Sequence, residues 1–147
     1  MYRRILVPVD GSELSDRAIH ASIDLARQLG AAITGFVAEP IVMPPSEPVS
    51  RSRFDEEMRE HDEMTEAHAR DVLSRFASEA RAAGIDFDGY HDQVPSIDRA
   101  IVAAAEARGC DLIVMVTHGR GAFGEFLFGS HTKAVLAGSK LPLLVLH

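Results

Sequence analysis

This sequence of 147 residues has one cysteine, Cys110, so no internal disulfide can form and a reducing compartment is expected. Standing just before an apolar run, Cys110 reads as a small buried hydrophobe rather than a nucleophile. No uninterrupted apolar stretch approaches the ~20 residues of a membrane span. No basic N-terminal segment leads into an apolar run, so no signal peptide is expected. Positive charge is scarce: 15 Lys and Arg stand against 22 Asp and Glu, a net charge of -7. Broad nucleic-acid binding needs a cationic surface to displace counterions from phosphates, and that partner class is excluded. No Ser-His-Asp or Cys-His order is legible and no paired carboxylates suit hydrolysis, so no dedicated enzyme is expected. What remains is one acidic cytoplasmic domain spanning residues 1–147, with no membrane partner.

Apolar runs and turn residues divide the chain regularly. Residues 4–9 (RILVPV), 32–38 (AITGFVA) and 111–116 (DLIVMV) read as strands buried on both faces. A weaker alternation over 85–91 predicts a third strand at a sheet edge, and 141–146 (LPLLVL) a fifth strand. Helical spacing predicts helices over 12–29, 54–83, 96–107 and 130–137, with Gly30, Gly84 and Gly109 as stops and Ser96 as a cap. Pro40, Pro44, Pro45 and Pro48 exclude helix and central strand, so about 40–52 is expected to be a mobile surface loop. Strands joined through helices predict an α/β fold: a five-stranded parallel, doubly wound, Rossmann-like sheet with helices on both faces. Ligands of such sheets sit beyond the C-terminal strand ends where the strand order reverses. The segments after the first and fourth strands, 8–10 and 116–130, are therefore the candidate site.

The second segment contains GRGAFG, a literal G-x-G-x-x-G. A dinucleotide loop needs an acidic residue ~20 positions on, and 139–144 offers only Ser, Lys, Leu and Pro. No Gly-Lys-Ser/Thr occurs either, so neither a dinucleotide cradle nor a P-loop is present. Gly119, nine residues, then Gly129-Ser130 opening a helix is a better grouping. Free N–H groups and the helix dipole there suit a phosphate, with Ser130 and Thr132 adding hydroxyls and Thr117, His118 and Arg120 nearby.

At these residues the chain resembles the universal stress protein family. The pieces are ILVPVDGS, CDLIVM, THGRG…LFGS and PLLVL, spread over essentially the whole chain. The resemblance implies an adenine nucleotide alpha hydrolase-like fold and ATP, with Mg if bound, in the cleft between the first and fourth strands. The adenine side would use Pro8, Val9, Asp10 and the Val37 backbone after the second strand. Ribose and phosphates would use Met115, Val116, Thr117, His118, Gly119, Gly129, Ser130, His131 and Thr132. Nucleotide-binding members read Gly-x-x-Gly where this chain reads Val116-Thr-His-Gly119, which places a β-branched side chain in the ligand's surroundings.

Three functions therefore stand: a regulatory ATP-binding module, a dimeric interaction protein without nucleotide, and a slow ATPase or self-phosphorylating protein using Ser130 or Thr132. The apolar strand at 142–146 is an aggregation hazard if left open, and a homodimer through it, as in the family, is expected. Asp10 caps the first helix, binds ligand, or does both; a receiver-type phosphoacceptor role lacks its acidic cluster. His61 and His68 share a helix face, but a solvated face is preferred to a metal site. Phe123, Phe126, Leu127 and Phe128 read as core anchors or partner contacts.

Overall fold

The sequence LIVMV offers no polar side chain to turn toward water, and Leu112–Val116 forms the strand β4, covered on both faces. The computed structural model describes residues 1–42, 50–117 and 130–147. Around β4 lie β1 (Arg4–Pro8), β2 (Ala32–Pro40), β3 (Phe87–Val94) and β5 (Leu143–Leu146) in one sheet, order β3-β2-β1-β4-β5. Every pairing is parallel. The helices are α1 (Glu13–Leu29), α2 (Arg51–Ala82), α3 (Ile97–Ala107) and α4 (Ser130–Gly138).

Right-handed crossovers decide which face each helix covers. The chain steps from β1 to β2 to β3 in one direction, and α1 and α2 cover one face. There Ile5, Val7, Ile33, Val37 and Val114 pack with Ile19, Ile23, Val72 and Phe76. From β3 the chain crosses to β4 and β5 in the other direction, placing α3 and α4 opposite. There Leu6, Phe36, Ile113 and Met115 pack with Ile101, Ala105 and Val135. The fold is therefore the doubly wound α/β sheet expected. At the lower end, the Asp111 carboxylate accepts the backbone N–H groups of Arg3 and Arg4, tying the start of β1 to that of β4.

Several boundaries differ from expectation for local reasons. Ile85 donates its N–H to the Ala80 carbonyl, completing the end of α2, so β3 begins two residues later than predicted and runs on to Val94. β2 extends through Pro40, which pairs with Val94. Even-numbered residues of β2 aim their backbone toward β1, as Ala32 does in donating to Arg3. β1 stops at Pro8, so the N–H that Pro40 lacks has no strand to serve. The helix α2 begins at Arg51, where Ser50 caps it by accepting the Arg53 N–H, so 51–52 belong to the helix and not to a loop. Residues 43–49, with Pro44, Pro45 and Pro48, lie outside the described residues. Ser96 occupies the cap position of α3, but its side chain makes no cap hydrogen bond.

Gly35 in β2 marks a close approach of the sheet to two aromatic rings. A Cβ there would lie 2.8 Å from Phe87 Cζ and 3.0 Å from Phe76 Cδ1. These rings already pack at 4.8 Å between centroids. Gly35→Ala should destabilise the fold by about 1–3 kcal/mol through overpacking. An unchanged urea midpoint would refute the tight contact.

Candidate functional site

Because β1 and β4 are neighbours whose following helices leave on opposite faces, no helix or strand among the described residues crosses the gap above their C-terminal ends. A cleft of about 370 Å³ opens there, within the usual size of small-molecule sites. Pro8, Val9 and Asp10 reach it from β1, Met115, Val116 and Thr117 from β4, and Ser130, His131 and Thr132 from α4. Leu14, Ala18, Phe36, Ile97 and Ile101 make its walls largely apolar. Among the described residues lining it there is no lysine or arginine, and Asp10 is the only carboxylate.

The turn carrying Asp10 is tightly specified. Asp10 Oδ1 accepts the Ser12 N–H at 2.9 Å and the Ser15 hydroxyl at 2.7 Å. The buried Ser15 Oγ in turn accepts the N–H groups of Asp10 and Gly11, at 2.7 and 3.2 Å. The N-cap of α1 is Ser12, not Asp10. Gly11 adopts φ 84°, and a Cβ there would meet His68 Cε1 and Val72 Cγ2 at 2.9 Å. Partial burial pushes the Asp10 carboxyl up, but the hydrogen bonds from Ser12 and Ser15 outweigh it and hold it below the ordinary 3.8. Oδ2 has no partner among the described residues and is left to accept from a ligand.

On the opposite wall, Thr117 is buried, donates its N–H to the Leu146 carbonyl, and sets its Oγ1 3.2 Å from His147 Nδ1. Thr132 is also buried, while Ser130 and His131 are exposed in the first turn of α4. His131 Nδ1 pairs with Asp98 of α3, leaving Nε2 for other contacts. Val116 is half-buried. It packs against the core on the α1 face and also borders the cleft. Met115 faces the other way, into the α3–α4 core.

Of the residues expected in the site, Pro8, Val9, Asp10, Met115, Val116, Ser130, His131 and Thr132 thus converge on the cleft. His118, Gly119 and Gly129 lie outside the described residues. Val37 is a correction: it sits within β2, not after it, fully buried against the α1–α2 face. Strand alternation points its backbone at β3, as Ile33 and Ile41 point theirs, and points that of Ala38 past the end of β1. Phe36 and Ala38, not Val37, line the cleft. The contributions of Ser15 and His68 were not anticipated. A small hydroxyl in the first buried turn of α1 was a usable signal for Ser15; no local signal marks His68, whose partner is 58 positions away. His61 meets Thr65 and His68 meets the Asp10 carbonyl. Among the described residues no group of three or more His, Cys, Asp or Glu could hold a metal. Burial pushes the Cys110 thiol up, in keeping with a packed, unreactive side chain.

The depressed Asp10 carboxyl has a consequence for acid stability. The unfolded chain takes up its proton first, so the stabilisation is present above 3.8 and lost as pH falls through the lower folded value. Asp10→Asn keeps an acceptor but cannot titrate, and should flatten that acid limb. Parallel stability–pH curves for the two proteins, from urea unfolding, would contradict this.

The universal stress protein family matches this chain over residues 1–147. Universal stress protein MJ0531 of Methanocaldococcus jannaschii is 28% identical over 149 residues, which is 99% of this chain and 82% of that protein. A universal stress protein solved in complex with cAMP superposes with a TM-score of 0.69 at 24% identity, over 99% of this chain and 97% of the other. The universal stress protein from Archaeoglobus fulgidus in complex with dAMP gives 0.65 at 19% identity, over 99% and 98%. At those identities the two structures bear on the fold alone. Taken with the match along the whole sequence, the sheet order and helix placement leave one assignment: this chain belongs to the universal stress protein family.

Proposed function

We propose that this chain is a cytoplasmic, regulatory binding module of the stress response. It holds an adenine nucleotide in the β1–β4 cleft, with ATP the form that the family resemblance implies, and works as a homodimer. The observation that carries this reading is the cleft's division of labour. Apolar walls suit a flat base, the free Oδ2 of Asp10 accepts from an adenine or ribose donor, and the first turn of α4 offers donors to phosphate. Along the base edge we assign the open backbone to Ala38. The family members solved with cAMP and dAMP support an adenine nucleotide as the ligand class. Mg, if bound, would arrive with the phosphates, since the only cleft carboxylate among the described residues is Asp10.

Orientation is testable by calorimetry. Loss of one hydrogen bond to a charged group costs roughly 1.5–3 kcal/mol. Asp10→Ala should weaken adenosine and ATP alike, whereas Ser130→Ala should weaken ATP and hardly touch adenosine. Equal losses of adenosine affinity in both variants would overturn this orientation.

Val116 favours a second reading, a dimeric interaction protein without nucleotide, because its side chain borders the cleft where nucleotide-binding members have glycine. Relief of crowding is worth ~1–3 kcal/mol, about one to two decades of affinity. Val116→Gly should bind ATP more tightly yet melt at a lower temperature, since the valine also packs on the core. Undetectable ATP binding in both proteins would establish the second reading. Tight binding by the wild type with no gain in the variant would show that valine is accommodated.

For the dimer, β5 is an outer strand of the sheet, and its Leu144 is 36% exposed. Antiparallel pairing of two β5 strands would close both edges. Leu144→Lys should shift the mass seen by light scattering from dimer to monomer. A monomeric wild type at micromolar concentration would exclude this assembly.

A further inference from the structure

The residues that α2 buries all lie at Ala69 or beyond: Ala69, Val72, Leu73, Phe76, Ala77 and Ala80. Residues 51–67 bury none, an arm of about 25 Å at 1.5 Å per residue. Because α2 runs antiparallel to the strands, this arm extends along the edge of the sheet that carries the cleft, where its Asp62 accepts the Gln93 side-chain amide of β3 at 3.0 Å. His68 stands where the arm joins the packed half. Its Nε2 lies 2.9 Å from the Asp10 carbonyl and donates to it, and its ring approaches Gly11 so closely that a Cβ there would come within 2.9 Å of Cε1. The Asp10 turn is thus held from below by Ser15 of α1 and from above by His68 of α2.

We propose that His68 is a positioning residue that couples this arm of α2 to the Asp10 turn, so that ligand in the cleft and order in the arm reinforce one another. The coupling to ligand rests on the nucleotide reading above; the coupling of arm to turn does not. A ligand that draws on Asp10 Oδ2 favours the turn conformation in which the Asp10 carbonyl meets His68. By reciprocity, whatever orders the arm then raises affinity in the cleft.

The test uses the full chain with His68→Ala, His68→Gln, whose amide N–H can replace the Nε2 donor, and His61→Ala as a control on the same arm. Without ligand, amide hydrogen exchange of Gly11 and Ser12 should quicken about three- to tenfold in His68→Ala, the worth of one ordinary hydrogen bond. His68→Gln should restore it and His61→Ala should leave it unchanged. With ATP, affinity should fall by a similar factor in His68→Ala and recover in His68→Gln, and ATP should slow exchange over 51–67 only where the donor is present. Unchanged exchange at Gly11 and Ser12 in His68→Ala overturns the proposal. So does unchanged ATP affinity in that variant when the wild type binds. If the wild type binds no nucleotide, the reading of the cleft fails, and the exchange of Gly11 and Ser12 alone decides the link between arm and turn.

Discussion

The right-handed crossover governs the rest of this molecule. It sends α1 and α2 to one face and α3 and α4 to the other because the chain leaves β1 toward one side and later returns to add β4 on the opposite side. At the β1–β4 junction the helices diverge, so no helix among the described residues covers the C-terminal strand ends there. The cleft is a geometric residue of the topology. Side chains chosen for packing lower in β1 and β4 become lining side chains at the top: Val9 and Val116 on one face, Met115 on the other.

What turns an uncovered strand end into a defined site is the satisfaction of polar groups near the core. Gly11, with its positive φ, turns the chain sharply between β1 and α1, and the N–H groups of Asp10 and Gly11 need acceptors. The Ser15 hydroxyl oxygen accepts from both, and its O–H donates to Asp10 Oδ1. Alanine at 15 would leave two amides to find another acceptor and take one of the two donors from Asp10 Oδ1, a cost of about 1–3 kcal/mol for a buried group. With Oδ1 taken by Ser12 and Ser15, Oδ2 is the Asp10 oxygen without a partner among the described residues.

Much of this was legible because it is local. A run such as LIVMV can only be a strand covered on both faces, and Asp10, Ser130 and Thr132 follow strand or loop ends that topology must bring together. What was hidden depends on partners distant in sequence. Whether Val37 or Ala38 aims its backbone at the cleft depends on which neighbour lies on which side of β2, a parity fixed by pairing with both β1 and β3. Pro40 falls in β2, against expectation, for the same reason. A proline is barred from a central strand only where its missing N–H would have met a partner, and beyond Pro8 there is none. His68 is no different in composition from His61, about two turns away; only the close passage of α2 over Gly11 separates them.

The polarity of the cleft follows from the same architecture. Each helix that follows a strand begins at the C-terminal edge of the sheet, so α1, α3 and α4 all present N-termini near the cleft, each with a partial positive charge. In α1 that charge is met by Glu13 and Asp16, and in α3 by Asp98. The first turn of α4 has no acidic residue. Asp98 also holds His131, drawing that imidazole toward α3. Of the three helix starts around the cleft, α4 alone is left uncompensated by its own first turn, with the hydroxyls of Ser130 and Thr132 beside it. Under the proposed nucleotide reading, an anionic group in the cleft would be drawn toward α4 and away from the Asp10 carboxylate. That separation of charge would set the direction of a nucleotide before any single hydrogen bond forms.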